Sequence, residues 1–230
     1  MTTRLKIGAA LLILSMSYYI VELIVAARWP APHAYSWSRN MISDLGVPEC
    51  LGDMRRYGGG TTRDRFICSP WHALMSTEFV LLGILVLAAA MLLSPLLPKT
   101  PLAEAIPYLA LINCLGNVLV GVFPGSANEV PGGSHIRAVL HPTGAYLELF
   151  SGVAIMAIIA WLYRSHPGYT AFTLALLAVS IVGMVASLTS EHLGPGTAER
   201  LAIDPFVWWR IGTGVVLLAV ARRPDVMASR

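Results

Sequence analysis

Residues 71–93 read WHALMSTEFVLLGILVLAAAMLL. Glu78 is the lone formal charge, and from Phe79 to Leu93 no polar side chain interrupts the run. Ser94 and Pro95 end it. A helix rises about 1.5 Å per residue, so a run of this length crosses a hydrocarbon core of about 30 Å. In lipid such a segment has to be a helix, because exposed strand edges or loops leave backbone groups unsatisfied.

The same pattern recurs on both sides. Spans are expected at about Ile7–Ala27, Trp71–Leu93, Ala105–Phe123, Val139–Tyr163, Tyr169–Thr189 and Phe206–Ala221. The composition agrees. Of 230 residues, 56% are apolar and 13% charged, where a soluble domain carries about 25% charged residues. Mean hydropathy is +0.65. A net charge of +3 with no basic stripe excludes a nucleic-acid partner. For the first span the rival reading is a signal peptide, since Arg4 and Lys6 precede it. The stretch is too long for that, it contains Glu22, and Arg28-Trp29-Pro30 follows in place of a cleavage site. With no repeat, linker or domain break, residues 1–230 read as one integral membrane domain. The expected fold is all-α, a polytopic transmembrane bundle of about six helices.

Six spans place both termini on one side. Basic residues are numerous on both sides, so their count leaves the orientation open. Those on the terminal side, such as Arg4, Lys6, Lys99 and Arg164, crowd against helix ends, where the rule holds best. The opposite side carries Cys50 and Cys68 in one loop, which suits an oxidising compartment. The expectation is cytoplasmic termini and a Cys50–Cys68 disulfide outside. Two free thiols are the alternative; a zinc site fits the spacing poorly. Cys114 lies in a helix and reads as packing.

The outer loops are long: 28–70, 124–138 and 190–204. Long loops on one face tend to carry function. Polar residues within the helices point the same way, because ionisable groups in lipid are costly. Helical spacing aligns Ser15, Tyr18, Tyr19 and Glu22 on the first span. It aligns His72, Ser76 and Gly83 on the second, with Glu78 off that line. Asn113, Gly116 and Asn117 share a face of the third, as do His141, Gly144 and Glu148 of the fourth. Ser180, Gly183, Ser187 and Glu191 do so on the fifth. Glu22, His72, Glu78, His141, Glu148 and Glu191 all fall in the outer half or at its surface, and the inner half is Leu, Ile, Val and Ala. The pattern predicts a polar pocket open toward the outer loops. The alternative is that each Glu is protonated or paired, with Arg137 or Arg210 as partner, and merely joins helices. Trp208-Trp209-Arg210 reads as an interfacial anchor.

Asp44, His72, His141 and Glu148 are the candidate catalytic groups, as acid, base or metal-binding residues. Glu22, Ser76, Glu78, Asn117, His135, Ser187 and His192 are the expected pocket lining. No cofactor is called for. Zinc is the weaker alternative, with His72, His141 and Asp44 as ligands, and no HExxH motif supports it. Ser76 or Ser134 near His141 and Asp44 would make a hydrolase, though no nucleophile elbow is present.

The first outer loop is distinctive. Asn40-Met41-Ile42-Ser43-Asp44-Leu45-Gly46-Val47-Pro48 is followed by Cys68-Ser69-Pro70 and His72-Ala73-Leu74-Met75. Further on come Gly121-Val122-Phe123-Pro124, His135, His141, Gly194, Glu199, Arg200, Pro205 and Trp208-Trp209. This order resembles a bacterial family of integral membrane proteins catalogued as domain of unknown function 998. Ser76 departs from the Asn expected there. The resemblance implies a bundle of six to seven helices in a bacterial plasma membrane and no stated activity. Ile42–Gly46 is also similar to the outer-loop signature of Frag1/DRAM/Sfk1-type membrane proteins, which points toward lipids. By its own chemistry Asn-x-Ile-Ser-Asp-Leu-Gly suits a lid-like turn, with Asp44 as turn-maker or site carboxylate. Three functions stay open: binding or processing of a lipid-like or amphipathic molecule, proton- or ion-coupled transport, and an accessory scaffold. The expected partners are membrane lipids and an amphipathic small molecule.

Overall fold

The computed structural model describes residues 2–50, 52–54, 65–125, 135–189 and 193–222. It contains six helical segments long and apolar enough to cross a membrane. The first segment is broken into α1 (Thr2–Leu14) and α2 (Ser17–Ala26). At the break, Met16 N bonds back to Ile13 O at 2.9 Å, a tighter turn than the helices on either side. The others are α3 (His72–Leu93), α4 (Pro101–Val122), α5 (His135–Leu162), α6 (Pro167–Thr189) and α7 (Pro195–Ala221). Local chemistry sets the starts. Thr100 caps α4 by accepting from Ala103 N at 3.3 Å, and Pro101 opens the helix.

The principal helix contacts run α1–α3, α3–α4, α4–α5, α5–α6, α6–α7 and α7–α1, a closed ring in chain order. Without a hydrophobic drive between helices in lipid, such packing relies on small residues at the contacts. Gly116 of α4 lies so close to α5 that an added Cβ would stand 2.5 Å from Glu148 N. Toward the terminal side the core is apolar, built from Val86, Ile106, Ile155, Met156, Phe206 and Trp209.

α7 begins about three turns earlier than the apolar run suggests, at Pro195 and not near Phe206. Those turns hold Glu199, Arg200 and Asp204, whose charge hides the helix from hydropathy. Trp208-Trp209-Arg210 therefore lies in mid-helix. Arg210 and Trp209 are buried, and Trp209 Nε1 donates to Thr173 Oγ1 at 3.1 Å.

The first loop plugs the ring. Ile42, Leu45, Val47 and Ile67 are buried and join one core cluster with Tyr18, Met75, Phe79 and Val207 of the helices. Ser43–Gly46 forms a short 3-10 turn on α3. Beyond it, β1 (Gly52–Met54) and β2 (Arg65–Ile67) pair antiparallel, with Gly52 opposite Ile67. The Cys50–Cys68 disulfide closes the open end of this ribbon. The fold is thus the expected all-α membrane bundle with a disulfide-closed first loop.

Candidate functional site

The turn at residues 40–46 is held by its own side chains. Asp44, 1% exposed, accepts from Met41 N at 2.8 Å and from Asn40 Nδ2 at 3.3 Å. Asn40 also accepts from Ser36 N at 3.1 Å and donates to Phe66 O at 2.8 Å. Ser69 Oγ donates to Leu45 O at 2.7 Å, and Ser76 Oγ to Gly46 O at 3.3 Å. Asp44 thereby acts as a turn-maker, and Ser76 ties the turn to α3.

The first turns of α7 clamp this lid from the other side. Arg200 is the hub. Its Nη2 donates to Glu22 Oε1 at 2.6 Å and to the Tyr35 hydroxyl at 2.5 Å. Its Nη1 donates to the carbonyls of Trp37 (2.8 Å), Asn40 (3.0 Å) and Gly196 (3.1 Å). The guanidinium also lies against the rings of Trp37 and Tyr35, at 4.9 and 5.5 Å from their centroids. Burial pushes the Tyr35 phenol well above its usual range, while Arg200 pulls it the other way. It stays neutral and donates to Met41 O at 3.0 Å. Next along the helix, Glu199 accepts the backbone N–H of Ile42 and a hydrogen bond from Ser43. Gly196 permits this approach, since a Cβ there would stand 2.1 Å from Asn40 O.

Under the turn, His141 and Glu148 of α5, Glu199 of α7, Tyr18 of α2 and Ser43 face a cavity of about 20 Å³. That is room for a single water molecule. The structure therefore brings together two of the four candidate catalytic residues, His141 and Glu148. His141 Nδ1 is 2.9 Å from Phe123 O. His72 Nδ1, in contrast, faces Ser69 O at 3.1 Å at the start of α3. Glu22 is paired with Arg200, not with Arg137 or Arg210. Arg137 instead forms a two-pronged pair with Glu49 in the lid loop. That pairing holds the Glu49 carboxyl below its usual range. Glu78 accepts from Ser17 Oγ at 2.6 Å. Asn117 is buried among α4 and α5, where Asn113 Nδ2 donates to Glu148 O at 2.8 Å. Ser187 is exposed and bonds back to Gly183 O, and His135 is exposed at the first residue of α5. His192, with Glu191 and Ser134, lies outside the described residues. Among the described residues, no three His, Cys, Asp or Glu side chains gather as metal ligands, so Asp44, His72 and His141 do not form a common set.

A second concavity, about 560 Å³, is larger and open. Its floor is Leu23, Ala26 and Ala27 at the end of α2, and its walls are Trp29, His33, Tyr35 and Trp37. Trp29, Tyr35 and Trp37 lie in the 28–70 loop, which the sequence marks by its length and not by these rings. Glu199, Arg200 and Asp204 escaped for a different reason: they were assigned to a loop. The signal for them was helical spacing running from loop into span, 199, 203, 206 and 210 on one face and 200, 204 and 207 beside it.

A family model described as a protein of unknown function, DUF998, matches residues 12–216. The chain belongs to this family. No curated protein and no solved structure matches it.

Proposed function

We propose that this member of the DUF998 family binds an amphipathic, lipid-like molecule in the groove between the end of α2 and residues 29–37. One observation carries the reading: a groove of about 560 Å³ with an aromatic wall and an aliphatic floor, lying at the rim of a membrane bundle. Ligand sites commonly measure about 300–1,000 Å³. Trp and Tyr favour the membrane interface, where one part of the ring is wet and the other is not. The floor continues into lipid, because Leu23 is exposed together with Ile20 and Ile24. An acyl chain would follow those side chains while the polar end meets Trp37, Tyr35 and His33. The Arg200 guanidinium behind Trp37 and Tyr35 fixes the wall.

Binding is favoured over chemistry on the ligand. His141 and Glu148 share a space that admits one water, and Asp44 and His72 are engaged by the turn and by Ser69. The same reading places the groove outside a bacterial plasma membrane, with the termini in the cytoplasm; reporter fusions at the C-terminus would check that orientation.

The test is photocrosslinking in nanodiscs with a diazirine fatty acid or lysolipid, followed by peptide mapping. Labelling is expected to concentrate on residues 23–37 and to fall at least tenfold in Trp37→Ala combined with Leu23→Ser. Labelling spread evenly over the lipid-facing helices would refute the groove.

A further inference from the structure

The bundle interior holds a second polar region that the groove does not use. Arg210 of α7 is 2% exposed, and its Nε has no hydrogen-bond partner. Among the described residues no ion pair reaches it; its guanidinium rests on Phe206, 5.0 Å from the ring centroid. Two more buried polar atoms of the helical segments lack a partner: Ser15 Oγ at the α1–α2 break and Asn117 Oδ1 of α4. An unsatisfied buried polar group carries its desolvation cost with nothing to offset it. Three such atoms from three of the spanning segments call for a partner, and water is the partner small enough to serve them.

Charge makes the same demand. The carboxyls that act on Arg210 are Glu148 from α5 and Glu78 from α3, with Tyr18 and Tyr19 of α2 beside them. One guanidinium neutralises one carboxylate. Nearer the lid, Arg200 stands against Glu22, Glu199 and Asp204. The helices thus set five carboxyls against two guanidiniums in a medium that tolerates little unpaired charge. Some of those carboxyls must carry protons. Glu78 is already held by Ser17 Oγ at 2.6 Å. Glu148 alone reaches both ends, since it faces Arg210 and also lines the water-sized cavity under the lid.

We infer that Glu148 is a proton-binding site, reached from the loop face through that cavity and linked by internal water to Arg210. The groups facing it are Asn117 of α4, Tyr18 of α2, Glu199 and Arg210 of α7, Ser43 of the lid and His141 on its own helix, with Glu78 of α3 acting on the same Arg210. α6 contributes no Asp, Glu, His, Lys or Arg. Proton uptake converts the carboxylate to the acid and lets it donate to the bridging water, with no other bond made or broken.

The test is infrared spectroscopy of the reconstituted protein across pH, in H2O and in D2O. The wild type is expected to show a protonated-carboxyl C=O band that fades as pH rises and shifts in D2O. Glu148→Gln is expected to remove one component of the titrating band, a component that Glu78→Gln retains. A titrating band with the same intensity and shape in Glu148→Gln as in the wild type overturns the assignment. If that variant does not fold, the wild type still decides: a band that neither titrates nor exchanges shows that no such site exists.

Discussion

Replacing Arg200 with Gln tests the clamp that seats the lid on the bundle. The guanidinium joins Glu22 to Tyr35 and collects the carbonyls of Trp37, Asn40 and Gly196. The ion pair is well shielded, with side chains 14% and 4% exposed, so solvent screening weakens it little. Removing one partner of a buried pair costs about 3–5 kcal/mol, because the other charge is left uncompensated. The three carbonyls add to this, though not in full, since bonds to one group are not additive. The expected loss is therefore about 4 kcal/mol. Arg200→Lys should lose nearly as much, because an ammonium can meet Glu22 but cannot span the carbonyls as the planar fork does. Glu22→Gln in the Arg200→Gln background should restore part of the loss by removing the stranded charge. Reversible SDS unfolding in mixed micelles, read by tryptophan fluorescence, measures all four proteins. A loss under about 1 kcal/mol for Arg200→Gln, the range of a surface pair, would refute the clamp.

Three further outcomes follow from the lid. Breaking the Cys50–Cys68 link with a double Ser substitution should destabilise by about 3 kcal/mol, from the freed loop of intermediate length; thermal unfolding in detergent with and without reductant measures it. Gly196→Ala places a Cβ 2.1 Å from Asn40 O, so it should cost about 1–3 kcal/mol as an overpacked contact; Gly168→Ala, with nothing within 4 Å, is the control. The Arg137 pairing lowers the Glu49 carboxyl, so its contribution is fully present above the usual carboxylate value and is lost as pH falls through the lowered one. The melting temperature of the wild type should therefore drop toward that of Glu49→Gln only below the ordinary carboxylate range, and equal values throughout would contradict this.

The spans were legible because their signal is length and apolarity, which one chain carries by itself. Trp71–Leu93 against the observed His72–Leu93 shows how little context that reading needs. The disulfide was legible too, because two cysteines in one long loop leave few other roles. The start of α7 was not. Charge in a window normally marks a loop, and only the lid loop packed against Glu199 and Arg200 turns those charges inward. Asp44 illustrates a different limit: the turn chemistry of Ser-Asp-Leu-Gly was readable, but its bonds to Asn40 and Met41 depend on a fold in the preceding residues. For the site, the spacing of His141 and Glu148 placed both on one face. Their partner Glu199 comes from a distant helix, and no periodicity within α5 can announce it.

The groove is tested most directly by a high-resolution structure in a lipid nanodisc. The account predicts elongated density along Leu23 and Ala27 that ends against Trp37 and Tyr35. Ordered water alone, or a collapsed space with Trp37 folded onto α2, would contradict it.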